Sequence, residues 1–224
     1  MIARSYLFVP GNRAERFDKA VASGADAVVL DLEDAVMPDD NAVAREAVAR
    51  YLLVADESLR ARLVVRINDE NTPWFDDDLA MLAVARAHGV MLPMAEAVAT
   101  VDRVRRTCPD IEVLALIESA RGILQAEALA AVDGVTRLVC GTLDVALDLD
   151  LVEDPSIGPL GLDAAASRLA WSLRAAELPP PVAGSRCHAG HRRPVPAARR
   201  LRARPCARIR RQAVNPPESG GLGA

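Results

Sequence analysis

The first three-quarters of this chain alternate between short aliphatic segments and longer segments with helical periodicity. The short segments are rich in Val, Leu and Ile, which is typical of strands buried on both faces; they span residues 5–9, 27–30, 63–67, 90–92, 113–117 and 137–140. The longer segments predict helices over residues 13–22, 42–53, 78–88, 96–106, 122–132 and 162–177. Fully buried strands separated by helices indicate a parallel sheet built from repeated βαβ units.

The polar residues that follow these strands favour a barrel over an open doubly wound sheet. No G-x-G-x-x-G motif follows the first strand, which weakens the dinucleotide-binding alternative. Charged or hydrogen-bonding residues end several strands, and barrel enzymes build their active sites from that rim. We therefore predict an α/β fold of the (β/α)₈ TIM-barrel type, incomplete because six strands are found where closure requires eight.

Two carboxylates stand out at the predicted strand ends. Glu118 directly follows the fifth strand, and Asp144 lies just beyond the sixth. Carboxylates converging from neighbouring strands form a hard-oxygen site that suits Mg²⁺, which takes one or two carboxylates and keeps its remaining positions for water or substrate. The alternative is a pair of solvated loop acids, which are common on protein surfaces.

Arg66 ends the third strand and has two possible roles. Its guanidinium could grip a substrate carboxylate through two parallel hydrogen bonds. It could instead form an ion pair with Asp31, Glu33 or Asp34 at the end of the second strand. Glu33 and Asp34 could in turn orient metal-bound waters, or simply pair with Arg66.

Composition limits the environment of the chain. No apolar run is long enough to cross a bilayer, and the N-terminus lacks the apolar segment of a signal peptide. None of the four cysteines forms a C-x-x-C pair or sits at ligand spacing from a histidine, so a zinc site is not expected. We expect a cytoplasmic protein with no membrane partner.

The charge of the chain changes abruptly near residue 178. Residues 1–178, the predicted barrel-like domain, carry 17 bases and 30 acids, whereas residues 179–224 carry ten arginines, one acid and eight prolines. This second segment has no strand or helix period. Arg outnumbers Lys by 26 to one in the whole chain, which indicates a GC-rich gene, and the hypothesis is that residues 179–224 are a frameshifted translation product.

A frameshift makes a direct prediction about the DNA: a one-base shift near codon 184 restores strand and helix patterns. The rival hypothesis is a genuine basic tail that binds nucleic acid or an acidic partner. Because the tail lacks interleaved aromatic residues and helical register, we expect no nucleic-acid partner.

Five motifs in order resemble the HpcH/HpaI aldolase and citrate lyase β-subunit family. They cover residues 4–13 (RSYLFVPGNR), 27–36 (AVVLDLEDAV), 65–68 (VRIN), 116–122 (LIESARG) and 141–144 (GTLD). Their order and spacing match over residues 4 to about 184. The resemblance implies a (β/α)₈ barrel that binds Mg²⁺ through Glu118 and Asp144, with Arg66 and Glu118 contacting the oxaloacetate-like part of the substrate.

The activity implied by the resemblance is cleavage of a carbon–carbon bond. A citryl or citramalyl thioester, carried by CoA or an acyl carrier protein, would give an acyl thioester and a 2-oxo acid. Arg66, Glu118 and Asp144 are the catalytic candidates, and the expected assembly is a homo-oligomer, a trimer or hexamer.

This chain also departs from the family pattern. Asn41 and Leu143 stand where the family commonly has Lys and Glu, and the family's last two strands have no counterpart in the Arg/Pro-rich tail. Two alternatives to an active lyase therefore stay open. One is a catalytically impaired, truncated or frameshifted member that serves at most as an interaction module, and the other is a Mg²⁺-dependent aldolase acting on 2-oxo acids.

Overall fold

Parallel strands in sequential order form the sheet of this protein. The computed structural model describes residues 3–151 and 160–184. Those residues contain seven strands, each parallel to the next: β1 (Tyr6–Pro10), β2 (Ala27–Asp31), β3 (Leu63–Arg66), β4 (Gly89–Leu92), β5 (Glu112–Ile117), β6 (Val135–Gly141) and β7 (Val182–Gly184). The six strands predicted from the sequence are present, and the sheet has one more, β7, beside β6. Its three residues are too few to give a periodic signal.

Helices follow the strands in the alternation that the sequence predicted. They are α1 (Phe17–Val21), α2 (Asn41–Val54), α3 (Glu57–Arg60), α4 (Phe75–Ala85), α5 (Val98–Thr107), α6 (Ala120–Ala130), α7 (Thr142–Asp148) and α8 (Leu160–Ala175). The short helices α3 and α7 were not predicted, because one or two turns hold too few residues to show a period. None of the helices in the described ranges combines the length and apolar character needed to span a bilayer.

The limits predicted for α4 were wrong by three residues at each end. The helix begins at Phe75, a buried aromatic residue, instead of residue 78. It ends at Ala85 because Arg86 adopts a left-handed conformation with φ of 52°. That conformation at a helix C-terminus redirects the chain, so Gly89 belongs to the next strand and is not the helix stop.

Alternation along the strands divides the core into two layers. One face of the sheet packs against the helices in the larger apolar cluster, which includes Val28, Leu30 and Val65. The opposite face carries a smaller apolar cluster of Val29, Val64, Met91, Leu114, Leu116 and Val139, with Tyr6 packed against it. Because both faces are covered by apolar contacts, the strands are nearly uniform in aliphatic residues.

One buried arginine shows that the sheet curls toward closure. Arg137 lies on β6 and is 5% exposed. Its Nη1 donates to the carbonyl of Ala3 and to the hydroxyl of Tyr6, the latter at 3.3 Å, so one end of β6 lies beside the start of β1. Within the described residues β1 and β7 remain the outer strands of the sheet and do not pair with each other.

The predicted Arg/Pro-rich segment lies almost wholly outside the described residues. Only residues 179–184 of it are described, and they include β7. The division at residue 178 and the frameshift hypothesis therefore stay predictions.

A buried polar network fixes α2 and α4 to the end of β3. Asp78 on α4 is fully buried, and its Oδ2 accepts hydrogen bonds from the backbone N–H of Asn68 at 2.9 Å and from the Asn68 side chain at 2.7 Å. Its Oδ1 accepts from Arg45 Nε at 2.6 Å. Asn41 and Asn68 exchange side-chain hydrogen bonds of 3.3 and 3.0 Å, and Asn41 also donates to the carbonyl of Leu32.

We predict that Asp78→Ala lowers the free energy of unfolding by about 3–5 kcal/mol, because it leaves Arg45 and Asn68 without their buried partner. The neighbouring Asp77 is a matched control, since its side chain is 71% exposed and lies 3.4 Å from the same arginine. Asp77→Ala should cost less than about 1 kcal/mol. Urea denaturation followed by circular dichroism measures both changes, and equal costs would show that the network does not anchor α4.

Candidate active site

The polar residues predicted at the strand ends meet along one rim of the sheet. Parallel pairing places Asp31 of β2 opposite Arg66 of β3, and Ile117 of β5 opposite Cys140 of β6. Glu118 follows directly after the paired end of β5. Parallel strands that are in register end at the same edge, so these groups lie along one edge of the sheet.

Arg66 is the cation of this rim and is 6% exposed. Its Nε and Nη2 donate to the two carboxylate oxygens of Asp31 at 2.7 and 2.6 Å, a bidentate pair. Its Nη1 donates to Asp34 Oδ2 at 2.8 Å and lies 2.9 Å from Glu33 Oε2. The ring of Phe8 lies 5.2 Å from the guanidinium carbon. The ion-pair alternative for Arg66 is therefore present in the structure, with all three acids named from the sequence.

Glu33 is the acid least well accommodated around Arg66. Its Oε2 is buried and makes no hydrogen bond with any described residue. Burial raises the pKa of Glu33 to about 8, although the charge of Arg66 acts in the opposite direction. The charges of Asp34, Glu118 and Asp31 contribute to this rise, so Glu33 lies within electrostatic reach of these three acids.

Glu118 is held at the end of β5 by two features of the backbone around it. It is 7% exposed, and its Oε2 accepts a hydrogen bond of 3.2 Å from the backbone N–H of Met94. Met94 has a φ of 45°, a left-handed conformation uncommon for a residue with a side chain. A Cβ on Gly141 would lie 2.6 Å from Glu118 Cγ, so only glycine leaves room for this side chain.

Asp144 lies in the first turn of α7, which begins directly after β6. The alternative of a solvated loop acid does not hold for Asp144, because the residue is helical and only partly exposed. Burial raises the pKa of Glu118 to about 7, the hydrogen bond from Met94 lowers it, and the charge of Asp144 raises it. The charge of Asp144 therefore acts on the carboxyl of Glu118.

These carboxylates fit the requirements of a Mg²⁺ ion. The described residues contain no group of three or more His, Cys, Asp and Glu side chains arranged around one metal position. Magnesium does not require such a group, since it binds through one or two carboxylates and keeps waters or substrate oxygens. Glu118 and Asp144 could supply the two carboxylates.

The charge at the rim favours a cation. Asp31, Glu33 and Asp34 pair with the guanidinium of Arg66, and the charges of Asp144 and Asp34 also act on Glu118. Burial and like charge both disfavour ionisation, which explains the raised pKa values of Glu33 and Glu118. A divalent cation would relieve this repulsion and let the rim accept an anionic ligand.

Two features of the site were missed or left open by the sequence. The sequence marks Gly141 only as part of the GTLD motif, and the structure shows its backbone in close approach to Glu118. Met94 was not predicted, because its contribution is a backbone N–H and no residue type signals it. The position of Gly141 directly after an aliphatic strand was the available signal.

Comparison with known proteins identifies one family and several related sequences. Residues 4–178 match the family model described as HpcH/HpaI aldolase/citrate lyase. The chain is 37% identical over 146 residues to a (3S)-malyl-CoA thioesterase of Cereibacter sphaeroides, an alignment covering 65% of this chain and 51% of the relative. It is 39% identical over 140 residues to a citrate lyase subunit beta-like protein of Mycobacterium tuberculosis, covering 62% and 48%. This chain thus spans about half the length of these curated relatives.

A solved structure agrees with the sequence relatives. The crystal structure of protein CitE from Mycobacterium tuberculosis, in complex with magnesium, acetoacetate and coenzyme A, superposes with a TM-score of 0.68 and 33% identity. The match covers 79% of this chain and 64% of that one. The open seven-stranded sheet therefore corresponds to a large part of a TIM-barrel-like fold.

We predict that the free energy of unfolding of the metal-free protein falls by a few kcal/mol as the pH rises from about 5 to about 8.5. The pKa of Glu33 is raised from 4.5 to about 8 in the folded state. The stabilisation linked to its neutral carboxyl is therefore fully present below pH 4.5, and it is lost as the pH rises through about 8. Glu118 adds to the fall up to about pH 7.

The variant Glu33→Gln, which stays neutral, should flatten this pH dependence. Glu112→Gln is the control, because Glu112 lies at the opposite end of β5 and its side chain is 49% exposed. Denaturation in EDTA at several pH values makes the comparison. A Glu33→Gln profile parallel to that of the wild type would contradict the burial of charge at this position.

Proposed function

Because this chain belongs to the HpcH/HpaI aldolase/citrate lyase family, we propose that it is a Mg²⁺-dependent carbon–carbon lyase acting on a 3-hydroxy-acyl thioester. The products would be an acyl thioester and a 2-oxo acid. The thioester would be a citryl or citramalyl group on CoA or on an acyl carrier protein. The CoA carrier is supported by the coenzyme A bound to the CitE protein and by the malyl-CoA thioesterase relative.

The proposal is supported by the electrostatic relation of Glu118 to Asp144 and Arg66. Both charges act on the pKa of Glu118, which supports a site formed by these three groups at the rim. Two carboxylates and a guanidinium offer one position for a hard cation and one donor for a carboxylate. A substrate with a hydroxyl and a carboxylate on the same carbon presents the matching pair of groups.

Glu118 and Asp144 would hold the Mg²⁺ ion. The hydrogen bond from Met94 fixes one oxygen of Glu118, which leaves the other carboxylate oxygen for the metal. When bound, Mg²⁺ supplies positive charge beside the substrate hydroxyl, where an alkoxide and then a ketone develop during cleavage. The same positive charge offsets the excess of acids at the rim.

Arg66 would orient the substrate through the part of its guanidinium that the acids leave available. A guanidinium has five N–H groups. The described contacts use Nε, one N–H of Nη2 and the Nη1 group, so the second N–H of Nη2 would serve a substrate carboxylate. Asp31 keeps the planar group in a single orientation, which restricts the geometry of the bound substrate.

Thioester hydrolysis is the second candidate function. The identity of 37% to a (3S)-malyl-CoA thioesterase favours it. Hydrolysis breaks the bond between the acyl carbon and sulfur and consumes one water, whereas lyase cleavage breaks a carbon–carbon bond and leaves the thioester intact. The two reactions therefore differ in whether a free thiol or a 2-oxo acid appears.

We predict that the purified full-length chain with Mg²⁺ forms a 2-oxo acid from citryl-CoA or citramalyl-CoA without releasing free thiol. Glu118→Gln and Asp144→Asn should each lower kcat/KM at least about 100-fold and weaken Mg²⁺ binding, because each removes one of two carboxylate ligands. Glu112→Gln on the same strand should keep wild-type activity. A 2-oxo-acid assay, a thiol reagent and isothermal titration calorimetry measure the three quantities.

The outcome of that experiment separates the candidates. Free thiol without a 2-oxo acid would replace the lyase by a thioesterase. Mg²⁺ binding with neither product would favour the catalytically impaired member. A 2-oxo acid released from free hydroxy-oxo acids, and not from thioesters, would identify the aldolase alternative.

We also predict that Gly141→Ala weakens Mg²⁺ binding about 10-fold or more, since the added methyl group would displace Glu118 from its position. Gly89→Ala is the matched control. It also alters a buried strand glycine, but the nearest contact of its Cβ would be 3.3 Å, to Val64, at the opposite end of the sheet. Calorimetric titration with Mg²⁺, with thermal melts as a check of folding, compares them. Unchanged binding in Gly141→Ala would exclude a steric role for this glycine.

A further inference from the structure

A hydrogen bond joins α7, which carries Asp144, to the start of α6, which follows Glu118. The carboxylate of Asp148, the last residue of α7, accepts the backbone N–H of Ala120 at 2.6 Å. Ala120 is the first residue of α6. It lies two residues after Glu118, and Asp148 lies four residues after Asp144.

The first turn of α6 shows why this contact can form. The first N–H groups of a helix have no partner within the helix. Ser119, the residue before α6, accepts the N–H of Gly122 at 3.1 Å, which satisfies one of them. The N–H of Ala120 is satisfied by Asp148 from the neighbouring helix, and the positive end of the α6 dipole favours the carboxylate.

The contact connects the two proposed ligands by a short path of chain and one hydrogen bond. On one side, two peptide units connect Ala120 to Glu118. On the other side, one helical turn connects Asp148 to Asp144, and residues four apart lie on the same face of a helix. Pairing of β5 with β6 brings the carriers of the two ligand carboxylates together, and the Asp148 hydrogen bond adds a second link beyond the strand ends.

We propose that Asp148 is a positioning residue that holds Asp144 against Glu118 and so sets the affinity of the site for its divalent ion. The inference rests on the proposed function, in which these two carboxylates bind Mg²⁺. Asp148 touches neither the ion nor the substrate in this proposal. It acts by fixing α7 to the start of α6.

The contribution of this contact to folding stability is small, so its effect on metal affinity can be measured separately from its effect on folding. The hydrogen bond is exposed, and water can replace either partner. Loss of the contact therefore costs little stability but lets α7 shift. Outer partners that orient metal ligands typically change metal affinity 10-fold or more.

Direct titration of the full-length chain with Mn²⁺, followed by electron paramagnetic resonance, tests the proposal without reference to activity. Asp148→Ala removes the acceptor. Ala120→Pro removes the donor at a first helical position that proline tolerates well, after a Ser119 whose φ of −141° and ψ of 163° suit a residue before proline. Both variants should raise the Mn²⁺ dissociation constant about 10-fold.

Two further variants serve as controls. Asp148→Asn keeps an oxygen that can accept the same N–H, so its Mn²⁺ dissociation constant should stay within about twofold of the wild type. Leu147→Ala alters the adjacent residue of α7, which is 78% exposed, and should also bind as the wild type does. Thermal melts identify any variant that fails to fold.

The outcomes separate this inference from the proposed function. Wild-type affinity in both Asp148→Ala and Ala120→Pro would overturn the positioning role alone. So would weak binding in Asp148→Asn together with normal binding in Ala120→Pro, because charge would then be responsible and not the hydrogen bond. Absence of Mn²⁺ binding to the wild type would overturn the proposed metal site itself.

Discussion

The bidentate pair between Arg66 and Asp31 is the interaction on which the rim of this sheet depends. It joins adjacent strands at the point where both end, and both partners are almost fully buried. A buried charge without a partner is costly, so neither residue can be placed there alone. With the guanidinium fixed, the carboxylates of Asp34 and Glu33 lie beside its Nη1 atom. The geometry of the proposed substrate site is therefore a consequence of one ion pair.

An excess of negative charge gives the rim its chemical character. Burial raises the pKa values of Glu33 and Glu118, and neighbouring acids raise them further. Such a site repels an anionic thioester unless a cation is bound, which connects the electrostatics to the proposed use of Mg²⁺. The backbone supports this arrangement at some conformational cost, because Met94 adopts a left-handed conformation to reach Glu118. The strained backbone of Met94 thus donates its N–H to the crowded carboxylate of Glu118.

Long-range contacts determine how the strand ends are arranged in space. Arg137 reaches from β6 to the start of β1, which bends the sheet, and Asp78 joins α4 to the end of β3. Asn41 completes that network, although the sequence marked it only as a departure from the family pattern. The helix α7 is a local element, yet Asp148 at its end accepts a hydrogen bond from the first residue of α6. These contacts connect residues far apart in the chain, so no periodicity reveals them.

The sequence by itself determined the alternation of strands and helices and the residues at each strand end, because burial on both faces requires continuous aliphatic segments and parallel strands end at one edge. It also identified the acids able to pair with Arg66. Only the tertiary structure decided that Arg66 binds all three of them, that Glu118 needs the absent side chain of Gly141, and that Asp144 belongs to a helix. The physical reason is that strand and helix patterns are local properties of the chain, whereas burial of charge and steric fit depend on which distant segments meet.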